Sequence, residues 1–220
     1  MNCHAFNFCE NVLHALGSGA LWWPDKRLLC VSDLHLGKSE RMVRRGGTAL
    51  PPYETRDTLT RLSSDLDATG AQMVICLGDS FDDRAAAVAM PEDERLWIAR
   101  LQAGRRWIWI EGNHDPGPVE LGGEHMAEMV LSGLVFRHIA QPDARGEVSG
   151  HYHPKAVLPT RARPITRPAF LYDGARLIMP AYGTYTGGLR SHEATLSDLM
   201  MPGARAILTG QRPVEVPMPR

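Results

Sequence analysis

Residues 27–35 read Arg27-Leu28-Leu29-Cys30-Val31-Ser32-Asp33-Leu34-His35. The apolar run predicts a short buried β-strand, and two metal-binding side chains, Asp33 and His35, follow it. Residues two apart in an extended segment point to the same side, so this carboxylate and this imidazole could bind one ion. An Asp-x-His triplet alone is weak evidence, since an ordinary surface loop can also carry it.

Two later apolar runs end in the same way. Residues 73–77 and 107–110 are strand-like, and polar side chains follow each of them. These side chains lie in Gly78-Asp79 and in Gly112-Asn113-His114-Asp115. Asn113 offers an amide oxygen to a metal, His114 would point elsewhere and serve as an acid, and Asp115 would orient its imidazole. The ordered recurrence of such motifs argues against a chance collection of polar loops.

Helical patterns separate these runs. Leu59, Leu62 and Leu66 are spaced by three and four, which predicts a helix over residues 55–68. Pro91 and the acidic residues after it suit the start of a second helix that ends near residue 102. The alternation predicts an α/β fold with its site at the carboxyl ends of the strands.

The second half of the chain predicts a second sheet packed on the first within one domain, residues 1–220. Short apolar runs alternate with Gly and Pro, and Asp173-Gly174 is typical of a hairpin turn. The strand-like runs are residues 135–136, 147–148, 156–158, 169–172 and 177–179. The stretch from Pro202 to Arg220 is predicted to be a loosely held tail. Gly150-His151-Tyr152-His153 places two more imidazoles two residues apart.

Together these motifs supply carboxylates, an amide and imidazoles, a donor set that suits two divalent metals sharing a site. The series, from Asp33-x-His35 through Gly78-Asp79 and Gly112-Asn113-His114-Asp115 to Gly150-His151-x-His153, resembles the calcineurin-like metallophosphoesterases. Further motifs resemble one bacterial subgroup, the ligase-associated DNA damage response endonucleases. They include Gly19-Ala20-Leu21-Trp22, Leu50-Pro51-Pro52-Tyr53, Gly78-Asp79-Ser80-Phe81 and Met179-Pro180-Ala181-Tyr182-Gly183-Thr184-Tyr185.

The resemblance implies a sandwich of two mixed β-sheets flanked by helices, and it implies a ligand set. One metal would take Asp33, His35 and His153, and Asp79 would bridge to the other. The second metal would take Asn113, His151 and a histidine between these motifs. His138, which follows an apolar run, is favoured over His125, which lies amid Glu124 and Glu128 in a predicted helix or loop. The resemblance favours Mn²⁺, and the mixed N/O donors also suit Fe or Zn²⁺. Such a pair would activate water and clamp the phosphate, while His114 stabilises or protonates the leaving group.

Residues outside the metal motifs could bind substrate. Arg44 and Arg45, with Arg41 nearby, could meet phosphates or could form a solvated helix face. Tyr182 and Tyr185 could stack on a base or pack in the core. A second basic cluster could form an exposed loop or part of a nucleic-acid track; its members are Arg161, Arg163 and Arg167.

Composition narrows the function classes. The formal net charge is −1, with 24 basic and 25 acidic residues, so any grip on a polyanion must be local. The four cysteines lack a metal-type spacing, and no leader or membrane-spanning run is evident, so we expect a cytoplasmic protein without disulfides.

The first interpretation is a phosphodiesterase that cleaves DNA, single-stranded or damaged, as a repair endonuclease. The resemblance also implies a functional association with a DNA ligase and a helicase. An alternative substrate is a nucleotide, a cyclic nucleotide or a nucleotide-sugar. A binding scaffold without catalysis would be expected to have lost ligands, and here all the motifs are intact.

Overall fold

The computed structural model describes residues 2–47, 50–117, 120–158 and 163–220. Its strands are β1 Cys3–Phe8, β2 Asn11–Leu16, β3 Leu21–Trp23, β4 Leu28–Val31, β5 Met73–Leu77, β6 Arg106–Ile110, β7 Glu124–Met126, β8 Glu128–Leu131, β9 Leu134–Arg137, β10 Glu147–Ser149, β11 Lys155–Leu158, β12 Ile165–Tyr172, β13 Arg176–Ile178, β14 Arg205–Leu208 and β15 Val214–Pro217. Its helices are α1 Lys38–Arg44, α2 Glu54–Thr69, α3 Arg84–Ala89, α4 Glu92–Gln102 and α5 Ala194–Ser197.

The first sheet has the order β1-β2-β3-β4-β5-β6-β7. Strands β1 to β4 pair antiparallel, and β4 to β7 pair parallel. The parallel strands β4 and β5 are buried almost throughout, as expected when both faces of a sheet are covered. Their carboxyl ends lie at one edge of the sheet, which is where Asp33, Asp79 and Asn113 follow.

The second sheet has the order β15-β14-β12-β13-β10-β9-β8, and β11 pairs with β12. Strands β9, β10 and β13 pair parallel, and the other pairings are antiparallel. The β12–β13 hairpin turns at Asp173 and Gly174, as predicted. Both sheets are therefore mixed, and the predicted α/β sandwich is confirmed.

Successive residues along a strand point to opposite faces, and this alternation divides the core into layers. In β5, Val74 and Cys76 pack with the leucines of α2 on the outer face of the first sheet. Ile75 and Leu77 point inward and pack with Phe136 and other residues of the second sheet. The helices thus cover the first sheet, and the two sheets pack face to face.

The C-terminal prediction was wrong. Residues 202–220 are not a loose tail, because β14 and β15 extend the second sheet. Ile207 of β14 is fully buried between the sheets, and Leu208 packs against the α5 side. The Pro and Gly residues around these two short strands conceal them in the sequence.

The four cysteines are free, and Cys30 and Cys76 are buried in the core. Trp22, Trp23, Trp107 and Trp109 are buried in the core as well. Among the residues that the structure describes, no helix has the length and apolarity needed to cross a membrane.

Candidate metal centre

The loops that leave β4, β5, β6 and β9, together with the loop after β10, bring the predicted ligands into two adjacent clusters. The first holds Asp33, His35 and His153, whose ligand atoms lie within 4.8 Å of one another. The distance from His153 Nε2 to Asp33 Oδ1 is 3.2 Å, and that to His35 Nε2 is 3.3 Å. This trio is the one that the sequence predicted for one metal.

The second cluster holds Asp79, His138 and His151, with the same close spacing. His138 Nε2 lies 3.3 Å from Asp79 Oδ2 and 3.3 Å from His151 Nδ1. Asn113 Oδ1 lies 3.0 Å from the same nitrogen. The structure therefore brings together the donors predicted for the second metal.

Of the two candidate histidines, His138 is the one that lies in the second cluster. It follows β9 directly, is buried and joins the cluster. His125 lies within β7, where its ring stacks on Trp109 at a centroid distance of 6.3 Å. The sequence interpretation of His125 as part of a helix or loop was wrong, because three residues of its segment pair with β6.

The donor set fits a cation. His138 Nδ1 lies 3.1 Å from the Leu77 carbonyl, which can only accept a hydrogen bond, so Nδ1 carries the proton. The lone pair of Nε2 then faces Asp79 Oδ2 and Asn113 Oδ1, so three possible metal-binding atoms point to one position. Burial alone would lower the pKa of His138, but Asp79 and Asp33 raise it. The position beside His138 Nε2 therefore favours positive charge, as a metal site must.

The first cluster shows the same property. Burial would raise the pKa of the Asp33 carboxyl, but the hydrogen bond and charge of His153, the charge of His138 and the Ser32 hydroxyl lower it overall. Ser32 Oγ donates to Asp33 Oδ2 at 2.5 Å, and the backbone N–H of His151 donates to the same oxygen at 3.0 Å. These contacts hold the carboxylate ionised and fixed in orientation.

The backbone of the site is strained. Five of the seven predicted ligands have positive φ angles between 44° and 70°, a region that non-glycine residues rarely adopt; they are Asp33, His35, Asp79, His151 and His153. Such strain persists only where the surrounding structure fixes it, and it concentrates at functional sites. Gly78 and Gly150 directly precede two of these residues and leave space for the neighbouring side chains. A Cβ at Gly78 would overlap the His138 ring, and one at Gly150 would overlap Ser32.

A residue that the sequence analysis did not single out, Asp82, orients a predicted ligand. Its Oδ1 lies 3.0 Å from His35 Nδ1, and its Oδ2 accepts a hydrogen bond from Arg41 at 2.7 Å. Burial would raise the pKa of this carboxyl, but His35, Arg41 and Lys38 lower it to about 2. A carboxylate on the far nitrogen of a metal-binding histidine fixes its tautomer and raises its basicity. The signal in the sequence was the acidic run that follows Asp79.

We expect Asp82→Asn to weaken the binding of Mn²⁺ to the metal-free chain by about 10–100-fold, the usual effect of removing such a support. Titration calorimetry would measure it. Asp83→Asn is the matched control, because Asp83 caps α3 through the N–H of Ala86 and touches no predicted ligand. An equal loss in both variants, or none in Asp82→Asn, would contradict the role of Asp82.

His114 lies beside the clusters but is oriented differently from the prediction. Its Nδ1 lies 2.8 Å from the Asp82 carbonyl oxygen, so Nδ1 donates and Nε2 remains for a substrate. Its own backbone N–H donates to Asp79 Oδ1 at 2.8 Å. The imidazole packs edge-on against His35, with ring centroids 5.2 Å apart.

The role predicted for Asp115 was wrong. Its carboxylate does not hold the His114 imidazole but accepts the backbone N–H groups of Gly112, Ser80 and Phe81. Burial raises the pKa of Asp115 to about 6, and the charge of Asp79 contributes. Asp115 thus ties the loop after β6 to the loop after β5. It supports the site through the backbone.

The predicted substrate residues differ in their exposure. Tyr182 is buried in the core, and its hydroxyl donates to Asp65 at 2.8 Å, so of the two roles predicted for it, core packing is confirmed and stacking on substrate is wrong. Tyr185 is half-buried, has a φ of 63° and faces Tyr53, with ring centroids 5.4 Å apart.

The arginines at the end of α1 form ion pairs with acidic side chains. Arg44 contacts Glu40 at 2.9 Å and Asp83 at 2.8 Å. Arg45 lies 3.6 Å from Asp83, and its side chain is 61% exposed. In the second basic cluster, Arg161 lies outside the described residues, and Arg167 donates to the Thr209 carbonyl oxygen at 3.4 Å.

Comparison with known proteins agrees with this geometry. The family model of the calcineurin-like phosphoesterases matches residues 26–184, which include all seven predicted ligands. No curated protein gave a significant match. The crystal structure of the Pseudomonas putida nuclease MPE is similar over 97% of this chain and 100% of its own, with 29% identity and a TM-score of 0.77.

The Escherichia coli phosphoesterase Yfce aligns with 87% of this chain and 99% of its own, at 13% identity and a TM-score of 0.41. The family model covers most of the chain, including both clusters. This protein belongs to the calcineurin-like phosphoesterase family, whose members hydrolyse phosphate esters with bound metals.

Proposed function

We propose that the chain is a phosphodiesterase with two divalent metals that cleaves DNA. The observation that carries the proposal is the pair of ligand clusters: Asp33, His35 and His153 would hold one ion, and Asn113, His138 and His151 the other. Asp79 would bridge them. When bound, such a pair supplies an activated water at neutral pH and neutralises charge on the phosphate.

The chain's own residues complete the chemistry. With Nδ1 held by the Asp82 carbonyl, His114 presents Nε2 to the leaving oxygen and stabilises or protonates it. Asp82 and Ser32 hold His35 and Asp33 in place. Asp115 fixes the loop that carries Asn113 and His114. We propose Mn²⁺ as the metal, and the N/O donors also suit Fe or Zn²⁺.

The DNA substrate is supported by the likeness to the nuclease from Pseudomonas putida, at 29% identity over nearly the full length of both chains. The Tyr53–Tyr185 pair offers an aromatic surface on which a base could stack.

Cytoplasmic repair of single-stranded or damaged DNA, beside a ligase and a helicase, is the setting we propose. An activity panel with Mn²⁺ tests it, comparing single-stranded DNA, duplex DNA and cyclic nucleotides. Cleavage of cyclic nucleotides alone would favour a small-molecule phosphodiesterase.

The exposed Arg45 provides a sharper test of a polynucleotide substrate. We expect Arg45→Glu to weaken single-stranded DNA binding and to lower the slope of log K against log salt by about 0.7, the share of one phosphate contact. Arg44 is held by two carboxylates, so its variant should have the smaller effect.

The matched control is Arg100→Glu. Arg100 is exposed at the end of α4, a few residues before β6 begins, and so lies at the edge of the sheet opposite the clusters. Fluorescence anisotropy at several salt concentrations gives the slopes. Equal slopes for wild type and Arg45→Glu would remove Arg45 from the DNA surface.

A further inference from the structure

A groove opens beside the second ligand cluster and has no role in the chemistry described so far. Its volume is about 400 Å³, within the range of about 300–1,000 Å³ typical of small-molecule sites. Asn113 and His138 form part of its wall, so a group bound in the groove adjoins the metal position. The loop after β6, the β7–β8 connection and the segment after β9 border this open groove.

The surface of this groove is largely apolar. Pro116 and Ala127 line it and are exposed, and Ile139 is 43% exposed although it directly follows the buried His138. An exposed large aliphatic side chain next to polar catalytic groups is suited to the face of a flat ring. Gln141, which also lines the groove, offers both a donor and an acceptor to the edge of such a ring.

The charges in the groove exclude a second phosphate. Among the described residues that line it, the one guanidinium or ammonium group is that of Arg137, which Glu128 neutralises at 2.9 Å and the buried Glu147 at 3.6 Å. Glu111 and Glu128 themselves line the groove. A further anion would therefore meet carboxylates rather than a free guanidinium, whereas a neutral ring with amino or imino donors would be accepted.

From these observations we infer that the groove between Ile139 and Ala127 binds the nucleoside attached to the scissile phosphate. The inference rests on the proposed phosphodiesterase activity and adds the group that the enzyme recognises next to that phosphate. The base would lie on Ile139 and Pro116, with its polar edge towards Gln141 and Glu128. In this arrangement Ile139 determines substrate preference and takes no part in bond cleavage.

The test uses two diesters that share a leaving group and differ only in the group offered to the groove. They are the p-nitrophenyl esters of thymidine 5′-phosphate and of methyl phosphate. The wild type should prefer the thymidine ester in kcat/KM. Ile139→Ala should reduce this preference by about tenfold, in line with the loss of a few methylene contacts. Ala127→Phe, which adds a ring to the lining of the groove, should reduce it as well.

Val130→Ala is the matched control, because Val130 is 65% exposed on β8 and does not line the groove. Mn²⁺ titration of each variant shows whether His138 and its neighbours still bind metal. A wild type that cleaves both esters with equal kcat/KM would overturn the inference. So would an equal loss for both esters in Ala127→Phe with metal binding intact. Failure to cleave either ester would instead contradict the proposed function.

Discussion

Asp79→Asn is expected to reduce hydrolysis of any phosphodiester by a factor on the order of 10³ or more. The backbone N–H of His114 fixes Asp79 Oδ1, and Oδ2 faces His138. Burial would raise the pKa of this carboxyl, but His138 and the His114 N–H lower it to about 2, so the native carboxylate is ionised. A carboxylate shared by two cations offsets part of their charge and positions both, and each 1.36 kcal/mol of lost transition-state stabilisation is tenfold in rate.

Steady-state kinetics and metal analysis by mass spectrometry check this expectation. Asp93→Asn is the control, since Asp93 is an exposed carboxylate of α4. The Asp79 variant should also retain less than the full metal complement. Normal turnover with a full complement would refute a bridging role for Asp79.

His114→Ala should keep its metals and lose about 10²–10⁴ in kcat, the usual contribution of a general acid. Among the hydrogen bonds of the described residues, the His114 imidazole has its partner in the Asp82 carbonyl oxygen and none in a predicted ligand. Its loss should therefore affect the leaving group and not metal binding. The His114→Ala variant should lose less kcat on a p-nitrophenyl ester, which has a good leaving group, than on a dinucleotide. Equal losses for both substrates would argue against proton donation by His114.

The parallel strands and the clustering of the predicted ligands were predictable because their signals are local. Each buried run, such as residues 73–77, ends directly at its polar residue, and parallel strands bring such ends to one edge. His138 was identified in the same way, since β9 delivers it. Spacing alone could not exclude His125, because three-residue β7 has no apolar run of its own.

The features that the sequence analysis did not predict depend on contacts between residues that are far apart in the chain. Asp82 lies 47 positions from His35, and its role appears only when α1 and the loop after β5 are packed together. Asp115 lay beside His114 in sequence, yet it turns to the backbone of Ser80 and Phe81. The C-terminal strands were hidden because each is four residues long and gains its stability from pairing with β12.

Anomalous diffraction from crystals of the Mn²⁺-loaded protein tests the central claim most directly. The account predicts two peaks, both contacting Asp79, one surrounded by Asp33, His35 and His153 and the other by Asn113, His138 and His151. A single peak, or two peaks of which one lies away from Asp79, would contradict it.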